Sequence, residues 1–255
     1  MRYWRPRAAE VAREVAAWRP DRIILLPLYP QYSTTTTASS LAEWQRAANR
    51  AALAVPSAAI CCYPREPGFI AALAELTGAA LSELPPGPLP RILFSAHGLP
   101  KKIVRSGDPY VWQVEATVAE LRAALARPEL ESVVCYQSRV GPLAWVGPST
   151  DAEIRRAAAD GRAILVVPVA FVSEHSETLV ELDIEYRHAA ARAGAVDYRR
   201  VPTVGTHPAF IAGLAALVRG ATHRADRIAS AMGTRICPAR CGSCPLAQAA
   251  ARCAT

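Results

Sequence analysis

Six apolar, β-branched runs alternate along this chain with stretches rich in Ala, Arg and Glu that have helical periodicity. The runs predict strands near residues 22–29, 57–62, 90–96, 132–137, 163–170 and 197–202. The stretches between them predict helices near residues 6–18, 39–54, 67–82, 109–126, 150–159, 176–193 and 207–231. Parallel strands need a crossover connection, and a helix is the usual one. The sequence therefore predicts an α/β fold with mostly parallel sheets.

Composition narrows the class of protein. The 255 residues are 51% hydrophobic, which is enough to build the core of one large or two modest domains. The sequence holds no apolar run of the ~18 residues that a membrane span requires, and its start has no apolar signal-peptide core. We therefore expect a cytoplasmic protein. The net charge of +7 comes from scattered Arg residues, which disfavours nucleic acid and leaves anionic small molecules or membrane surfaces open.

Polar motifs follow four of the predicted strands. They occupy residues 29–37, 95–98, 137–142 and 173–186. Ligands of open α/β sheets bind just beyond the carboxyl ends of the strands. Four polar motifs at four such ends predict one shared binding site.

The last of these motifs, Ser173–Tyr186, holds five carboxylates and a histidine but no Lys or Arg. At 100° per residue, Glu174, Glu177, Glu181 and Glu185 fall in one helical stripe. Like charges at i,i+4 repel by roughly 0.2–0.5 kcal/mol per pair, so such a row is unusual on a plain surface helix. The pattern predicts the lining of a cleft that handles divalent cations or protons.

Apolar residues flank this stripe, including Val180 and Ile184 on one side, which favours a cleft lining over the alternative of a solvated acidic face. Asp183 falls on the opposite side of the helix and is predicted to be structural. His175 lies about 100° off the stripe and is predicted to support it rather than to bind a ligand.

The chain has seven cysteines, and three of them form a C-x3-C-x2-C motif near its end. Its members are Cys237, Cys241 and Cys244. In a cytoplasmic chain, clustered cysteines favour metal binding or redox chemistry over disulfides. An iron–sulfur cluster, zinc and reduced thiols all stay open, with Cys253 and the adjacent pair Cys61 and Cys62 as further ligand candidates.

Together the motifs of this chain resemble those of ferrochelatase, the terminal enzyme of haem synthesis. The segments that carry the resemblance are Leu26–Ser33, Phe94–Pro100, Gly107–Tyr110, Tyr136–Pro142, Trp145–Thr150 and Phe171–Asp183. The resemblance implies two Rossmann-like domains with a porphyrin cleft between them. It implies insertion of Fe²⁺ into a dianionic tetrapyrrole with release of two protons, by a lyase-class enzyme that uses no organic cofactor.

The resemblance also assigns the acidic stripe a counterpart. His97 and Glu177 are implied to face each other across the cleft as the catalytic pair, and to hold the substrate Fe²⁺. Whether His97 binds metal or accepts protons stays open. Glu174, Glu181 and Glu185 are implied to be a relay for protons or iron, and crowding is expected to raise some of their pKa values.

Four residues are predicted to bind the porphyrin, each with a structural alternative. The hydroxyls of Tyr32 and Ser33 could bond propionates, or the Ser/Thr run could cap a helix. The face of Trp145 could line the macrocycle or pack in a core. Arg139 could pair with a propionate or hold the turn that follows its strand.

The resemblance extends to the cysteines. Many ferrochelatases hold a [2Fe–2S] cluster with three C-terminal cysteines and one distant cysteine. The implied ligands here are Cys62, Cys237, Cys241 and Cys244, with Cys61 or Cys253 as alternatives for the fourth ligand. The cluster is expected to be structural or sensory rather than to transfer electrons during metalation.

Domain boundaries are predicted from composition and the resemblance. Residues 1–85 are expected to be the remnant of an N-terminal Rossmann-like domain, and 86–235 a C-terminal one whose final helix packs back on the first. Residues 236–255 form a cysteine-rich tail, and the Pro-rich Leu84–Pro90 is the linker. Met1–Pro6 resembles an internal ferrochelatase segment, so a preceding part with the porphyrin-covering lip is expected to be missing, which puts activity in doubt.

The substrate is expected to be protoporphyrin IX, with coproporphyrin III as the alternative. Two other functions stay open: a cobalt chelatase acting on sirohydrochlorin, and a non-catalytic fragment that binds porphyrin or an iron–sulfur cluster. The implied partners are the porphyrin and ferrous iron, and no nucleic acid. A peripheral contact with the inner membrane and the oligomeric state stay open.

Overall fold

A computed structural model describes residues 4–224 and 227–247, so Cys253 lies outside the described residues. The strands are β1 Ile23–Leu25, β2 Ser57–Ile60, β3 Arg91–His97, β4 Ser132–Gln137, β5 Ile164–Pro168, β6 Tyr198–Arg200 and β7 Ile228–Ala229. The helices are α1 Ala8–Trp18, α2 Ser39–Arg50, α3 Pro67–Ser82, α4 Lys101–Arg105, α5 Tyr110–Leu125, α6 Thr150–Ala159, α7 Ser176–Leu179, α8 Tyr186–Arg192 and α9 Pro208–Thr222. Two π-helices lie at Thr34–Ala38 and Glu181–Glu185.

The chain divides into two compact units. Among the described residues, the first comprises everything up to Tyr63, the segment Gly107–Tyr110 and everything from Leu214 onward. The second comprises Pro64–Ser106 and Val111–Gly213. The boundaries of these compact units differ from the predicted domain boundaries. The predicted domains stay a prediction.

Each unit is built on one parallel sheet, which confirms the predicted α/β class. The first unit has the strand order β1-β2-β7 and the second has β4-β3-β5-β6. All six predicted strands are present; β1 ends four residues before its expected end, and the ends of the other five lie within two residues of expectation. Within the described residues, no helix combines the length and apolar character needed to cross a bilayer.

The structure corrects the predicted helix near 207–231. Helix α9 ends at Thr222, and Ile228–Ala229 forms strand β7 instead. This strand exists because it pairs with β2: the amide of Cys61 donates to the carbonyl of Ala229 over 2.8 Å. Two apolar residues give no strand periodicity of their own, so only the pairing reveals them.

The predicted helix near 176–193 is interrupted. Helix α7 is a single turn, and the second π-helix separates it from α8. The carbonyl of Val180 accepts from the amides of both Ile184 and Glu185, each over 3.0 Å. The resulting extra residue rotates the following side chains away from positions that a regular helix would give them.

Strand β3 is the centre of the second unit. It pairs with β4 on one side and with β5 on the other, and its residues Arg91–Ala96 are all buried. Leu93 joins Ile154 of α6 and Leu182 of the second π-helix in one apolar cluster. Helices therefore cover the sheet, and the carboxyl ends of its strands carry the polar motifs.

The buried side chain of Asp108 hydrogen-bonds to several residues of the first unit. It is 4% exposed and accepts from the hydroxyl of Ser33 (3.0 Å), the amide and hydroxyl of Thr34 (2.7 Å each) and the amide of Tyr110 (2.9 Å). The neighbouring Gly107, at φ +87°, accepts from the amide of Ser243 over 3.1 Å. A Cβ at Gly107 would lie 2.8 Å from a backbone nitrogen of the tail, so this position requires glycine.

We expect Asp108→Asn to lower the free energy of unfolding by about 1–3 kcal/mol, because an amide NH₂ would face three buried donors. Urea denaturation measures this. The matched control is Asp21→Asn, an exposed carboxylate that should change stability by less than about 0.5 kcal/mol. Equal unfolding midpoints for the two variants would contradict the assigned role of Asp108.

Candidate active site

His97 ends the central strand β3 and is half-buried. Its Nδ1 lies 2.6 Å from the carbonyl oxygen of Gly98. A carbonyl only accepts hydrogen bonds, so Nδ1 carries the proton in the neutral ring and Nε2 carries the lone pair. A neutral Nε2 can accept a proton or bind a metal ion, but not both at once.

Glu177 lies opposite His97 in the same unit. It belongs to the single turn α7, and its Oε1 is 3.8 Å from His97 Nε2. His175 caps this turn, since its Nδ1 accepts from the amide of Glu177 over 3.1 Å. The structure thus brings together the two residues of the predicted catalytic pair, and it gives His175 the supporting role predicted from sequence. At 3.8 Å the pair is too long for a hydrogen bond but attracts electrostatically when His97 is protonated.

Glu181 is held by four donors at the end of β4. Its carboxylate accepts from Gln137 Nε2 (3.0 Å), the Ser138 amide (2.7 Å), the Ser138 hydroxyl and the Tyr186 hydroxyl (2.9 Å). Ser138 adopts φ +57°, a left-handed conformation that costs roughly 1–2 kcal/mol for a residue with a Cβ. That strain lets one residue direct two donors at the same carboxylate.

Arg200 pairs with two of the five carboxylates. It contacts Asp183 through two parallel hydrogen bonds of 2.7 Å each, and Glu174 Oε1 over 2.8 Å. Glu174 also accepts from the amide of Thr203 over 2.9 Å. The positive charge that the acidic segment lacks in sequence is therefore supplied by Arg200 of strand β6. The ion pair of Asp183 with Arg200 agrees with the structural role predicted for Asp183.

Crowding was expected to raise some of the relay pKa values, and Glu174 is not one of these, because its pKa is lowered. Burial opposes its charged form, but hydrogen bonds from Thr178, the Thr203 amide and Arg200 outweigh burial and hold its pKa below the ordinary 4.5. Glu174 precedes helix α7, Glu177 belongs to it, and Glu181 and Glu185 lie in the second π-helix, so the four glutamates do not form one helical stripe. Glu185 lies on the exposed side of the second π-helix.

Trp145 and Arg139 lie over Gly98, next to His97. A Cβ added at Gly98 would approach Trp145 Cε3 to 3.2 Å and Arg139 Cγ to 3.3 Å. The indole nitrogen of Trp145 is buried and has no hydrogen-bond partner among the described residues. Arg139 is exposed. Both side chains therefore lie next to the residue that follows His97, and the porphyrin role predicted for them stays a prediction.

Tyr32 and Ser33 lie in the first unit, in the interior. Ser33 is 1% exposed, accepts from the amide of Thr35 over 3.1 Å and donates to Asp108, so the helix-capping alternative is the one the structure shows for it. Tyr32 packs against Cys61 and Cys62, and burial raises the pKa of its hydroxyl.

Five thiols share the interior of the first unit with Tyr32. They belong to Cys61, Cys62, Cys237, Cys241 and Cys244, and all are buried. The sulfur atoms of Cys61 and Cys62 are 3.6 Å apart. A hydrogen bond from Cys237 lowers the pKa of Cys244 to about 6, which favours its thiolate form.

The side chain of Arg235 stabilises the tail loop that carries three of these thiols. Arg235 Nη2 donates to the carbonyls of Pro238 (2.8 Å) and Cys241 (3.2 Å). Among the residues that the structure describes, no three His, Cys, Asp or Glu side chains converge on a single-ion site. A two-iron cluster needs thiolates spread around two irons, and the donor set of four or five buried thiols fits that group.

Several residues of the site were missed by the sequence analysis. They are Gln137, Ser138, Tyr186, Arg200 and Asp108. Gln137 ends strand β4 and Ser138 follows it, and both fall in the polar motif 137–142 that predicted a site there, although neither residue was assigned a role. Arg200 gave no signal, because its partners lie 17 and 26 positions away in the chain.

The fold of the chain is that of a chelatase-like α/β protein. It is similar to the solved structure described as SirB from Bacillus subtilis with Fe³⁺, with a TM-score of 0.58 over 86% of this chain and 79% of that one. The two sequences are 15% identical, so this likeness concerns the fold alone.

Sequence comparisons identify the family. The family model described as Ferrochelatase matches residues 1–222. A ferrochelatase of Caulobacter vibrioides is 49% identical over 98% of this chain and 71% of its own length, and one of Phenylobacterium zucineum is 51% identical over 96% and 69%. The chain therefore belongs to the ferrochelatase family, whose members insert iron into a porphyrin in haem biosynthesis.

The Glu174–Arg200 pair makes stability depend on pH. The folded-state pKa of Glu174 is lowered, so its contribution is present above the unfolded value of 4.5 and is lost as pH falls through the folded value. We expect Glu174→Gln to be about 1 kcal/mol less stable than the parent at pH 7 and to show a smaller deficit at pH 3. Denaturant titrations at both pH values measure it. The exposed Glu14→Gln is the control, and a Glu174→Gln deficit as large at pH 3 as at pH 7 would argue against the pair.

Proposed function

We propose that this chain inserts Fe²⁺ into protoporphyrin IX, with His97 and Glu177 as the residues that handle the leaving protons and the arriving metal. The observation that carries the proposal is the 3.8 Å approach of Glu177 Oε1 to His97 Nε2 at the carboxyl end of β3. A porphyrin must lose two N–H protons as the metal enters. The site therefore needs a base to accept these protons and a nearby anion to stabilise the protonated base.

His97 meets the requirement for a base. Its Nδ1–H is fixed by the carbonyl of Gly98, so Nε2 accepts the first of the two protons and passes it to the carboxylate of Glu177 before it accepts the second. The imidazolium that forms lies opposite the carboxylate of Glu177, which stabilises the positive charge. A carboxylate oxygen also binds Fe²⁺ and exchanges quickly, which suits a metal that must pass on to the ring.

The neighbouring carboxylates are proposed to anchor the site rather than to form a complete relay. Glu174 is paired with Arg200, and Glu181 accepts four hydrogen bonds, so both hold elements in place. Glu177 and the exposed Glu185 stay the candidates for moving protons or iron. Trp145 and Arg139, beside Gly98, are proposed to contact the macrocycle and a propionate.

The four thiols of Cys62, Cys237, Cys241 and Cys244 are proposed to hold a [2Fe–2S] cluster. When bound, such a cluster supplies one-electron redox chemistry and a cross-link between strand β2 and the tail. The lowered pKa of Cys244 and the loop fixed by Arg235 support this assignment. The buried Cys61, 3.6 Å from Cys62, is the alternative fourth ligand.

The catalytic proposal is tested by anaerobic Fe²⁺ insertion into protoporphyrin IX. We expect His97→Ala to lower kcat about 10²–10⁴-fold with little change in the KM for Fe²⁺, because general-base catalysis is lost. His188→Ala, an exposed histidine on α8, is the control. A raised KM for Fe²⁺ with unchanged kcat would instead assign His97 as a metal ligand. If the unaltered chain shows no activity, that result counts against the proposal. If it turns over coproporphyrin III faster than protoporphyrin IX, coproporphyrin III is the substrate instead.

The cluster proposal is tested by iron and sulfide analysis and by the electron paramagnetic resonance of the reduced protein. We expect Cys241→Ser to abolish the cluster signal, while Cys135→Ala, a buried cysteine of the second unit, keeps it. Comparison of Cys61→Ser with Cys62→Ser identifies the fourth ligand. Zinc or free thiols in the unaltered protein would contradict the assignment.

A further inference from the structure

Gln137 connects the strand that carries His97 to the helical turn that carries Glu177. It is the last residue of β4, is fully buried, and lies in register with His97 on the neighbouring strand. Its carbonyl accepts from the amide of Gly98 over 2.8 Å, directly after His97. A Cβ on Gly98 would come within 2.8 Å of the same oxygen, so the two backbones are in the closest contact that glycine allows.

The side-chain amide of Gln137 has a partner at each end. Its Oε1 accepts from the hydroxyl of Ser95 on β3 over 2.9 Å. Its Nε2 donates to the backbone carbonyl of Glu177 over 2.8 Å and to the carboxylate of Glu181 over 3.0 Å. The last two groups only accept, so the orientation of the amide is fixed by its partners.

The turn that carries Glu177 depends on such outside contacts. Helix α7 has four residues and gives way to the second π-helix, and a helix this short is not stable by itself. Its own cap, His175, holds only its amino end. The contact from Gln137 to the Glu177 carbonyl fixes the very residue whose carboxylate must face His97.

We propose that Gln137 is a positioning residue that sets the distance between Glu177 and His97. It acts through Glu177 and does not touch the reacting atoms. The amide bridges β3 and α7, so loss of the amide leaves the catalytic histidine in place and releases its partner. This inference rests on the roles proposed above for His97 and Glu177.

The test compares Gln137→Met, which keeps length and removes the amide, with Ser95→Ala, which removes only the anchor of its oxygen. We expect Gln137→Met to lower kcat about tenfold or more, Ser95→Ala to lower it less, and protoporphyrin affinity by fluorescence quenching to stay within about twofold. The control is Thr117→Val, which removes a buried hydroxyl bonded to the Pro64 carbonyl in the same unit. Thr117→Val should keep the parental kcat.

A double-mutant cycle separates positioning from general damage to the fold. In a Glu177→Gln background, Gln137→Met should lower kcat by less than about twofold, because the residue through which it acts is already lost. An equal loss in both backgrounds would overturn the inference. A Glu177→Gln variant with the parental rate would instead overturn the proposed function.

Hydrogen exchange tests the same inference without activity. Gln137→Met should speed amide exchange across residues 176–185 about tenfold, while Thr117→Val leaves that segment unchanged. Unchanged exchange there in both Gln137→Met and Ser95→Ala would overturn the inference. If the unaltered chain shows no turnover, that result counts against the proposed function and the exchange measurement still decides the role of Gln137.

Discussion

The parallel pairing of strand β3 with both β4 and β5 is the constraint on which the second unit depends. A strand buried on both faces must be apolar along its length, and Ile92–Phe94 meets that need. The register of the pairing then puts His97 beside Gln137 at one edge of the sheet. The polar side chains of the site lie at this edge because parallel strands all have their carboxyl ends there.

The acidic segment shows how a dense row of carboxylates is tolerated. Asp183 and Glu174 share the guanidinium of Arg200, and Glu181 takes four hydrogen bonds from uncharged donors. Each of these interactions keeps a carboxylate paired close to a packed core. Glu177 is left facing His97, which is the arrangement that the proposed metalation requires.

The first unit is organised by a different kind of contact. Asp108 and Gly107 join the start of the first π-helix to the tail loop that carries Cys241 and Cys244. This explains why a Ser/Thr-rich segment that looked suited to propionates is used for capping at Ser33. Its donors are taken up by a carboxylate 75 positions away in the chain.

Periodicity and short motifs are local properties of a chain, and they were enough to predict the α/β class, the six strands, the family and the residues of the His97–Glu177 pair. They failed at β7, at the π-turn after Val180 and at the single glutamate stripe. Strand β7 depends on β2, and the carboxylates depend on Gln137, Ser138 and Arg200, all of which are far away in sequence. The π-turn is a local change in the hydrogen bonding of the Val180 carbonyl, which the spacing of the carboxylates does not reveal. The distant contacts became visible only in the folded chain, because a hydrogen bond or ion pair between distant segments leaves no periodic pattern in either segment.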